Sequence, residues 1–203
     1  MTITASPRAA SRSLSWRVVD IVVASVVAVA CAVIFLAWIP LSSVPSTALK
    51  PLLPGLQGLL NGPWLIAGPL AGLIVRKPGA AIYAEFVAAA IELLILPAYG
   101  AGVLVSGLIQ GLGAEIVFAV LLYRAFNPVV ALLAGAAAGV AETCFDIPVW
   151  YAGATTAFWF VYGITTIVSG AVIGLICAPL VKAIAATGVL DRFASGRAAR
   201  RAV

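Results

Sequence analysis

The chain has 203 residues, of which 64% are hydrophobic and 9% are charged, and its formal net charge is +5. This composition excludes an ordinary soluble domain, because so large an apolar surface is stable only against lipid. The sequence has no histidine, which excludes Ser-His-Asp and Cys-His catalysis and the HExxH zinc motif, and it has no GxxxxGK[ST] loop. We therefore expect a membrane protein without a metal or other cofactor that does not hydrolyse ATP by itself.

Charge-free runs, punctuated by Gly, Pro and charged residues, predict six membrane-spanning helices. We place them at residues 17–39, 57–75, 79–97, 102–124, 128–150 and 157–182. Four prolines between Pro40 and Leu56 predict the one long loop, because proline interrupts a helix. The expected fold class is all-α, a compact bundle of six transmembrane helices that forms a single domain at 16–184 between polar tails at 1–15 and 185–203.

Basic residues fall almost entirely on one side of this six-span arrangement. Only Lys50 lies opposite the others, which are Arg8, Arg12, Arg17, Arg76, Lys77, Arg124, Lys182, Arg192, Arg197, Arg200 and Arg201. Because cytoplasmic loops are enriched in Lys and Arg, this asymmetry predicts that both termini are cytoplasmic. Orientation in the membrane and contact with anionic lipid account for the net charge, and no basic groove pattern indicates a nucleic-acid partner.

The first span carries a ridge of small residues, Ala24, Ala28 and Ala32, at four-residue spacing. Such a ridge allows another helix to approach closely. From the spacing alone, internal packing and docking of a partner protein are both open.

The second span begins with a polar and an aromatic residue three positions apart, Asn61 and Trp64. Together they could offer a hydrogen bond and a ring face to a planar or cationic ligand. Alternatively, Asn61 caps the helix that opens at Gly62-Pro63. The other aromatics near the outer boundary, among them Trp150, are typical of the aromatic belt at a membrane interface.

Five of the seven acidic residues lie inside the predicted spans: Glu85, Glu92, Glu115, Glu142 and Asp146. A carboxylate at membrane depth costs roughly 2.5 to 3.5 kcal/mol, so such residues usually face a bundle interior or a wet cavity. Hydrogen bonding between helices, with some of the acids protonated, is the structural alternative.

Depth along the helices, at about 1.5 Å per residue, divides these polar residues into two layers. Glu85 and Glu115 lie roughly 12 to 14 Å from the cytoplasmic ends, where we expect a structural or gating role. Glu92, Gln110 and Glu142 converge at roughly 21 to 23 Å, where we expect ligand contact. Asp146 lies higher, and either contact with the ligand or a helix end near water would explain it.

Two sequence blocks resemble the YkoE family, the substrate-binding S components of energy-coupling factor (ECF) transporters. The blocks are Arg76-Lys77-Pro78-Gly79-Ala80-Ala81 with the following Ala84-Glu85-Phe86, and Ser106-Gly107-Leu108-Ile109-Gln110-Gly111-Leu112-Gly113-Ala114-Glu115. The resemblance implies a bacterial plasma-membrane subunit that captures thiamine or its hydroxymethylpyrimidine precursor. It also implies a transmembrane coupling subunit and two ATPase subunits as partners, with Ala24, Ala28 and Ala32 as the docking ridge.

The residues and the resemblance together give a candidate binding set: Glu92, Gln110, Glu142, Trp64, Asn61, Glu85, Glu115 and Tyr162. Thiamine joins a cationic thiazolium to an aminopyrimidine, whereas hydroxymethylpyrimidine lacks the cation, so the surplus of acids favours thiamine. An ion-coupled secondary carrier for a small cationic or heteroaromatic solute would also bury carboxylates. The short chain and the lack of an inverted repeat argue against that alternative.

Overall fold

The computed structural model describes residues 14–193 and 195–196, and within them every regular element is helical. Six α-helices follow one another as α1 (Val18–Leu49), α2 (Ala67–Val75), α3 (Ala80–Ile95), α4 (Gly102–Val120), α5 (Pro128–Trp150) and α6 (Thr156–Ala186). Of these, α1, α4, α5 and α6 are long and apolar enough to cross a membrane. The predicted all-α fold with six helices is therefore confirmed.

The predicted loop after the first span is wrong in its first part, because α1 continues through Pro40 and Pro45 to Leu49. Proline frees a backbone carbonyl in a helix, but membrane helices tolerate it where side chains supply other hydrogen bonds. The hydroxyls of Ser42 and Ser43 donate to the carbonyls of Ile39 and Pro40 in this stretch, which are not the carbonyls that the two prolines free. At about 1.5 Å per residue, α1 is roughly 48 Å long and exceeds the thickness of the hydrocarbon core.

The predicted second span, 57–75, is not one helix. It consists of two 3-10 turns, Leu56–Leu60 and Gly62–Leu65, followed by the nine-residue α2. Gly55 begins this stretch with a φ of 99°, a conformation that favours glycine, and Pro63 opens the second turn. We call residues 55–66 the discontinuous segment.

Hydroxyl groups of α6 satisfy the irregular backbone of the discontinuous segment. Ser169 Oγ donates to the Leu59 carbonyl at 2.6 Å, and Thr165 Oγ1 lies 3.0 Å from the Gly55 carbonyl while sharing its one proton with the Val161 carbonyl of its own helix, at 2.7 Å. The same Ser169 Oγ accepts from the Gly62 amide at 2.8 Å. A non-helical backbone at membrane depth needs such partners, because lipid offers none.

Helix α2 is the centre of the bundle. All nine of its residues are buried, and it contacts each of the other five helices. Around it, α3, α4, α5 and α6 pack in chain order, and α5 meets α6 so closely that a Cβ on Gly135 or Gly170 would overlap the backbone of the facing helix. The short α2 leaves room between its first turn and the longer helices, and this space holds the cavity described below.

The alanine ridge of α1 lies inside the bundle. Ala24, Ala28 and Ala32 are all 0% exposed and belong to the hydrophobic core. The resemblance implied that this ridge docks a partner subunit, whereas in this structure the chain's own helices cover it. The opposite face of α1, with Val22 and Val26 more than half exposed, is the face that lipid or a partner would meet.

One end of the bundle, the basic end, carries Arg17, Arg76, Lys77, Arg124 and Lys182. There the buried Asp20 of α1 pairs with Arg17 at 3.0 Å and with Lys77 at 2.5 Å. The chain after α6 also packs on this end, since Leu190 and Phe193 are buried and Ser195 donates to the Ile74 carbonyl. The two predicted tails lie partly outside the described residues, which do not include 1–13, 194 and 197–203.

Candidate functional site

A cavity of about 190 Å³ lies in the half of the bundle away from the basic end, between α1, α3, α4, α5 and the discontinuous segment. Its polar lining consists of Glu92, Ser106, Gln110, Glu142 and Asp146. Its aromatic lining consists of Phe35, Trp64 and Trp150. None of the lining residues is Lys or Arg, so the cavity combines acidic groups with aromatic rings.

Helix α5 places two acids in this cavity, because residues four apart share a helix face. Glu142 is 8% exposed and Asp146 is 7% exposed. Both carboxylate oxygens of Glu142 accept from Ser106 Oγ, at 3.0 and 2.9 Å, and Ser106 Oγ accepts in turn from Gln110 Nε2 at 2.8 Å. Ser106 and Gln110 are also four residues apart, on α4, so the two helices present facing polar stripes.

Asp146 receives a second chain of hydrogen bonds, from the side away from the cavity. The hydroxyl of Tyr162, on α6, donates to Asp146 Oδ2. Asn61 Nδ2 donates to the Tyr162 hydroxyl at 2.7 Å and to Thr166 Oγ1 at 3.1 Å. Asn61 and Tyr162 therefore lie behind Asp146, and neither is among the residues that line the cavity.

The remaining walls are Trp64 and Glu92 on one side and Phe35 and Trp150 on the others. Trp64 lies on the second 3-10 turn and interacts with the carboxylate of Glu92, which α3 presents at 6% exposure. An indole ring beside carboxylates offers a favourable surface to a cation or a flat ring. Trp150, which the sequence placed in the interfacial belt, lines the cavity while remaining 56% exposed.

Glu85 is fully buried and lies outside the cavity lining. Its Oε1 accepts from the Gly68 amide at 2.8 Å, whereas its Oε2 has no hydrogen-bond partner. Gly68 is in the first turn of α2, where backbone amides lack helical partners and attract negative charge. Glu85 therefore anchors the start of α2 beneath the cavity.

Glu115 lies at the basic end, where it holds the turn between α2 and α3. Its two oxygens accept from the amides of Gly79 at 2.8 Å and Ala81 at 2.9 Å, and the Tyr123 hydroxyl donates to it at 2.6 Å. Burial and the hydrogen bond to Glu115 raise the pKa of the Tyr123 phenol, which keeps that group a donor. This geometry is that of a structural acid.

The structure thus brings four of the predicted binding residues, Trp64, Glu92, Gln110 and Glu142, to one cavity. The other four lie elsewhere: Asn61 and Tyr162 behind it, Glu85 beneath it and Glu115 at the far end. The sequence analysis left Asp146 undecided and did not select Ser106. Asp146 lies four residues after Glu142, and Ser106 lies four residues before Gln110, so each shares a helix face with a predicted binding residue. Phe35 sits on a helix without polar neighbours, and nothing in its local sequence marks it.

Chemically, the cavity can accept hydrogen bonds, stabilise positive charge and stack a ring. Among the described residues, no group of three or more His, Cys, Asp or Glu side chains is arranged to hold a metal ion. Carboxylates and an amide in a partly closed apolar space are the kind of group that fixes the orientation of a small ligand.

Three comparisons relate the chain to known proteins, and the first of them ends one residue before Glu142. Residues 19–141 match the profile of a family described as the permease component of an ABC-type cobalt transport system. The putative HMP/thiamine permease protein YkoE of Bacillus subtilis (strain 168) is 34% identical over 185 residues, which cover 90% of this chain and 92% of that protein. A crystal structure of an S-component of an ECF transporter matches with a TM-score of 0.85 and 33% identity, over 92% of this chain and 94% of the other.

Proposed function

The chain belongs to the YkoE family of ECF-transporter S components, as its two sequence blocks predicted, and on that premise we propose that it captures thiamine or its hydroxymethylpyrimidine precursor. It is a multi-pass protein of the bacterial plasma membrane and a transporter subunit, not an enzyme. The vitamin would bind in the acidic cavity between α1, α3, α4 and α5.

The observation that carries this proposal is the meeting of three carboxylates and three aromatic rings around one cavity. Glu92, Glu142 and Asp146 come from two different helices, and each is at least nine-tenths buried. Bringing three acids together at membrane depth is unfavourable unless a positively charged or hydrogen-bond-donating partner compensates them. A cationic heteroaromatic ligand provides both kinds of compensation.

Thiamine matches the two kinds of group in the cavity. A carboxylate can accept from the amino group of the aminopyrimidine, and such charge-assisted hydrogen bonds are the stronger ones. The thiazolium cation can lie against an indole face or beside a second carboxylate. We assign Glu92, Gln110 and Glu142 to hydrogen bonding and Trp64 to stacking, with Asp146 added to the set from its position. Hydroxymethylpyrimidine would use the first contact alone, so thiamine should bind more tightly.

The direct test is calorimetric titration of the purified protein with thiamine and with hydroxymethylpyrimidine. We expect saturable binding of thiamine, and a change in tryptophan fluorescence that is reduced in Trp64→Phe, because Trp64 is one of the two tryptophans that line the cavity. Trp16→Phe is the matched control, since Trp16 packs on Tyr83 and donates to the Pro78 carbonyl at the basic end. Heat changes no larger than those of buffer for both ligands would contradict the proposed function.

We further propose that the protein works with a transmembrane coupling subunit and two ATPase subunits, as in an ATP-driven importer. In proteoliposomes, thiamine uptake should then require all the subunits and ATP. An ion-coupled secondary carrier would instead transport with this chain alone, driven by an ion gradient. Uptake by the isolated chain under such a gradient would replace the importer proposal with that alternative.

The basic end of the bundle supports a cytoplasmic position for both termini. Arg17 precedes α1, Arg76 and Lys77 follow α2, Arg124 follows α4, and Lys182 lies near the end of α6. With these residues on the cytoplasmic side, the cavity opens toward the exterior, as capture from outside requires. Labelling a cysteine introduced at Lys50 with a membrane-impermeant maleimide on intact cells tests this orientation, and protection from the reagent would reverse it.

A further inference from the structure

Two carboxylates of the cavity are each reached by the same series of groups: an amide, then a hydroxyl, then the acid. We propose that these two relays, Asn61–Tyr162–Asp146 and Gln110–Ser106–Glu142, hold both acids as hydrogen-bond acceptors and so make the cavity selective for a cationic ligand over a neutral ligand of the same shape. This inference rests on the proposed function, and it makes Tyr162 a positioning residue that acts through Asp146.

The direction of the first relay follows from counting protons. Asn61 Nδ2 has two hydrogens, and it donates one to the Tyr162 hydroxyl and one to Thr166 Oγ1. The Tyr162 hydroxyl accepts that bond, so its single proton is free to point elsewhere. It points to Asp146 Oδ2, which must therefore be the acceptor and carry no proton. Oδ1 is left as the oxygen available to a ligand.

Packing prevents Tyr162 from turning away from Asp146. The side chain is 2% exposed, and its ring packs against Tyr151, at 4.8 Å between ring centroids, and against Phe158, at 5.6 Å and nearly parallel, in a cluster of three mutually contacting rings. A hydroxyl fixed in this way donates to Asp146 without losing further conformational freedom when a ligand arrives, which is the advantage of a preorganised site.

The second relay has the same logic on the cavity surface. Gln110 Nε2 donates to Ser106 Oγ at 2.8 Å, so the Ser106 proton is directed to Glu142, both of whose oxygens lie within 3.0 Å of that hydroxyl. A serine hydroxyl has one proton, so Glu142 is an acceptor here as well.

While the cavity is empty, Glu142 and Asp146, one turn apart on α5, also hydrogen-bond to each other, which requires that the two acids share a proton. The ionisable groups that face Asp146 are Glu142 and Tyr151 of its own helix end and Tyr162 of α6, and none of them supplies positive charge. A ligand that brings a positive charge can take the place of this proton, and a neutral ligand cannot. The relays stabilise both acids as acceptors once this proton has left, and they therefore favour a cation over a neutral ligand in the cavity.

The test compares thiamine with 3-deazathiamine, the neutral analogue in which carbon replaces the quaternary nitrogen. The quantity measured is the ratio of the two dissociation constants in wild type and in Tyr162→Phe, which keeps the ring and removes only the hydroxyl. We expect this variant to reduce the preference for thiamine by about tenfold or more, because one hydrogen bond to a charged acid is lost. Tyr83→Phe is the matched control, since it removes a hydroxyl bonded to Ser25 Oγ at 2.7 Å, away from the cavity, and should leave the ratio unchanged.

A double-mutant cycle establishes whether Tyr162 acts through Asp146. Asp146→Asn should itself reduce the preference, and adding Tyr162→Phe to it should change the ratio by no more than about twofold. Ser106→Ala provides an independent variant on the second relay, should Tyr162→Phe fail to fold, and it should shift the ratio in the same direction.

The possible results separate this inference from the function on which it rests. A folded Tyr162→Phe or Ser106→Ala protein with the wild-type ratio overturns the relays while leaving vitamin capture intact. Equal affinity of the wild type for the two ligands also overturns the inference. Binding of neither ligand by the wild type refutes the proposed function, and the inference with it.

Discussion

One substitution, made at two buried glutamates, separates ligand binding from folding. Glu142 lines the cavity, whereas Glu115 lies at the basic end and accepts two backbone amides and the Tyr123 hydroxyl. We expect Glu142→Gln to weaken thiamine binding with little change in thermal stability. We expect Glu115→Gln to lower stability with little change in the affinity of the folded protein.

The magnitudes follow from the hydrogen bonds at each site. In Glu142→Gln the amide oxygen can still accept from Ser106, but the charged contact with the ligand is lost, at about 1.5 to 3 kcal/mol. That loss corresponds to a rise of roughly 10-fold to 150-fold in the dissociation constant. In Glu115→Gln one oxygen becomes an NH₂ group that faces the amide of Gly79 or Ala81, which leaves a donor unpaired at a cost of about 1 to 3 kcal/mol.

Both quantities can be measured on the same purified samples, by calorimetric titration with thiamine and by thermal unfolding in detergent. The assignment of Glu142 to the ligand is refuted if Glu142→Gln binds thiamine within about twofold of wild type. The assignment of Glu115 to the fold is refuted if its variant unfolds at the wild-type temperature but binds thiamine more weakly.

Three further predictions concern the stability of the helix bundle. Lys77→Met should lower the free energy of unfolding by about 1 to 3 kcal/mol, because it removes one of the two cationic partners of the buried Asp20, and an unchanged denaturation curve would contradict this. Ala28→Leu should cost about 1 to 3 kcal/mol through overpacking, whereas an exposed docking residue would show no loss of stability. Gly170→Ala should cost at least as much, because its Cβ would overlap the backbone of α5. Gly153→Ala is the control: its Cβ would have nothing within 4 Å, so its free energy of unfolding in the same denaturation assay should stay within about 0.5 kcal/mol of wild type.

Helix number and the main cavity acids were predictable from the sequence because both follow from simple periodicities. Apolar runs of about 20 residues give the spans, and a shared helix face gives pairs such as Glu142 and Asp146. Depth along the helices then separated two layers of polar residues. The outer layer, Glu92, Gln110 and Glu142, lines one cavity in the structure. The deeper layer, Glu85 and Glu115, lies outside that lining.

The errors arose where tertiary contacts overrule local rules. Pro40 and Pro45 predict a loop, yet α1 continues through them to Leu49, although this end of the helix is largely exposed. Asn61 and Tyr162 are 101 positions apart, and only the folded bundle shows that they act in series behind an acid. The alanine ridge has the same spacing whether it faces a partner or the chain's own core, so sequence could not decide between the two.

The discontinuous segment and the cavity depend on each other, and Ser169 is the residue that tests this dependence. Its hydroxyl donates to the Leu59 carbonyl and accepts from the Gly62 amide, so Ser169→Ala leaves two backbone groups without these partners at membrane depth. Trp64 lies two residues after Gly62, so the variant should lose both about 1 to 3 kcal/mol of stability and much of its thiamine affinity. Thr187→Ala, which removes an exposed hydroxyl at the end of α6, should change neither. Loss of stability with wild-type affinity in Ser169→Ala would show that the wall carrying Trp64 forms independently of its bonds to α6.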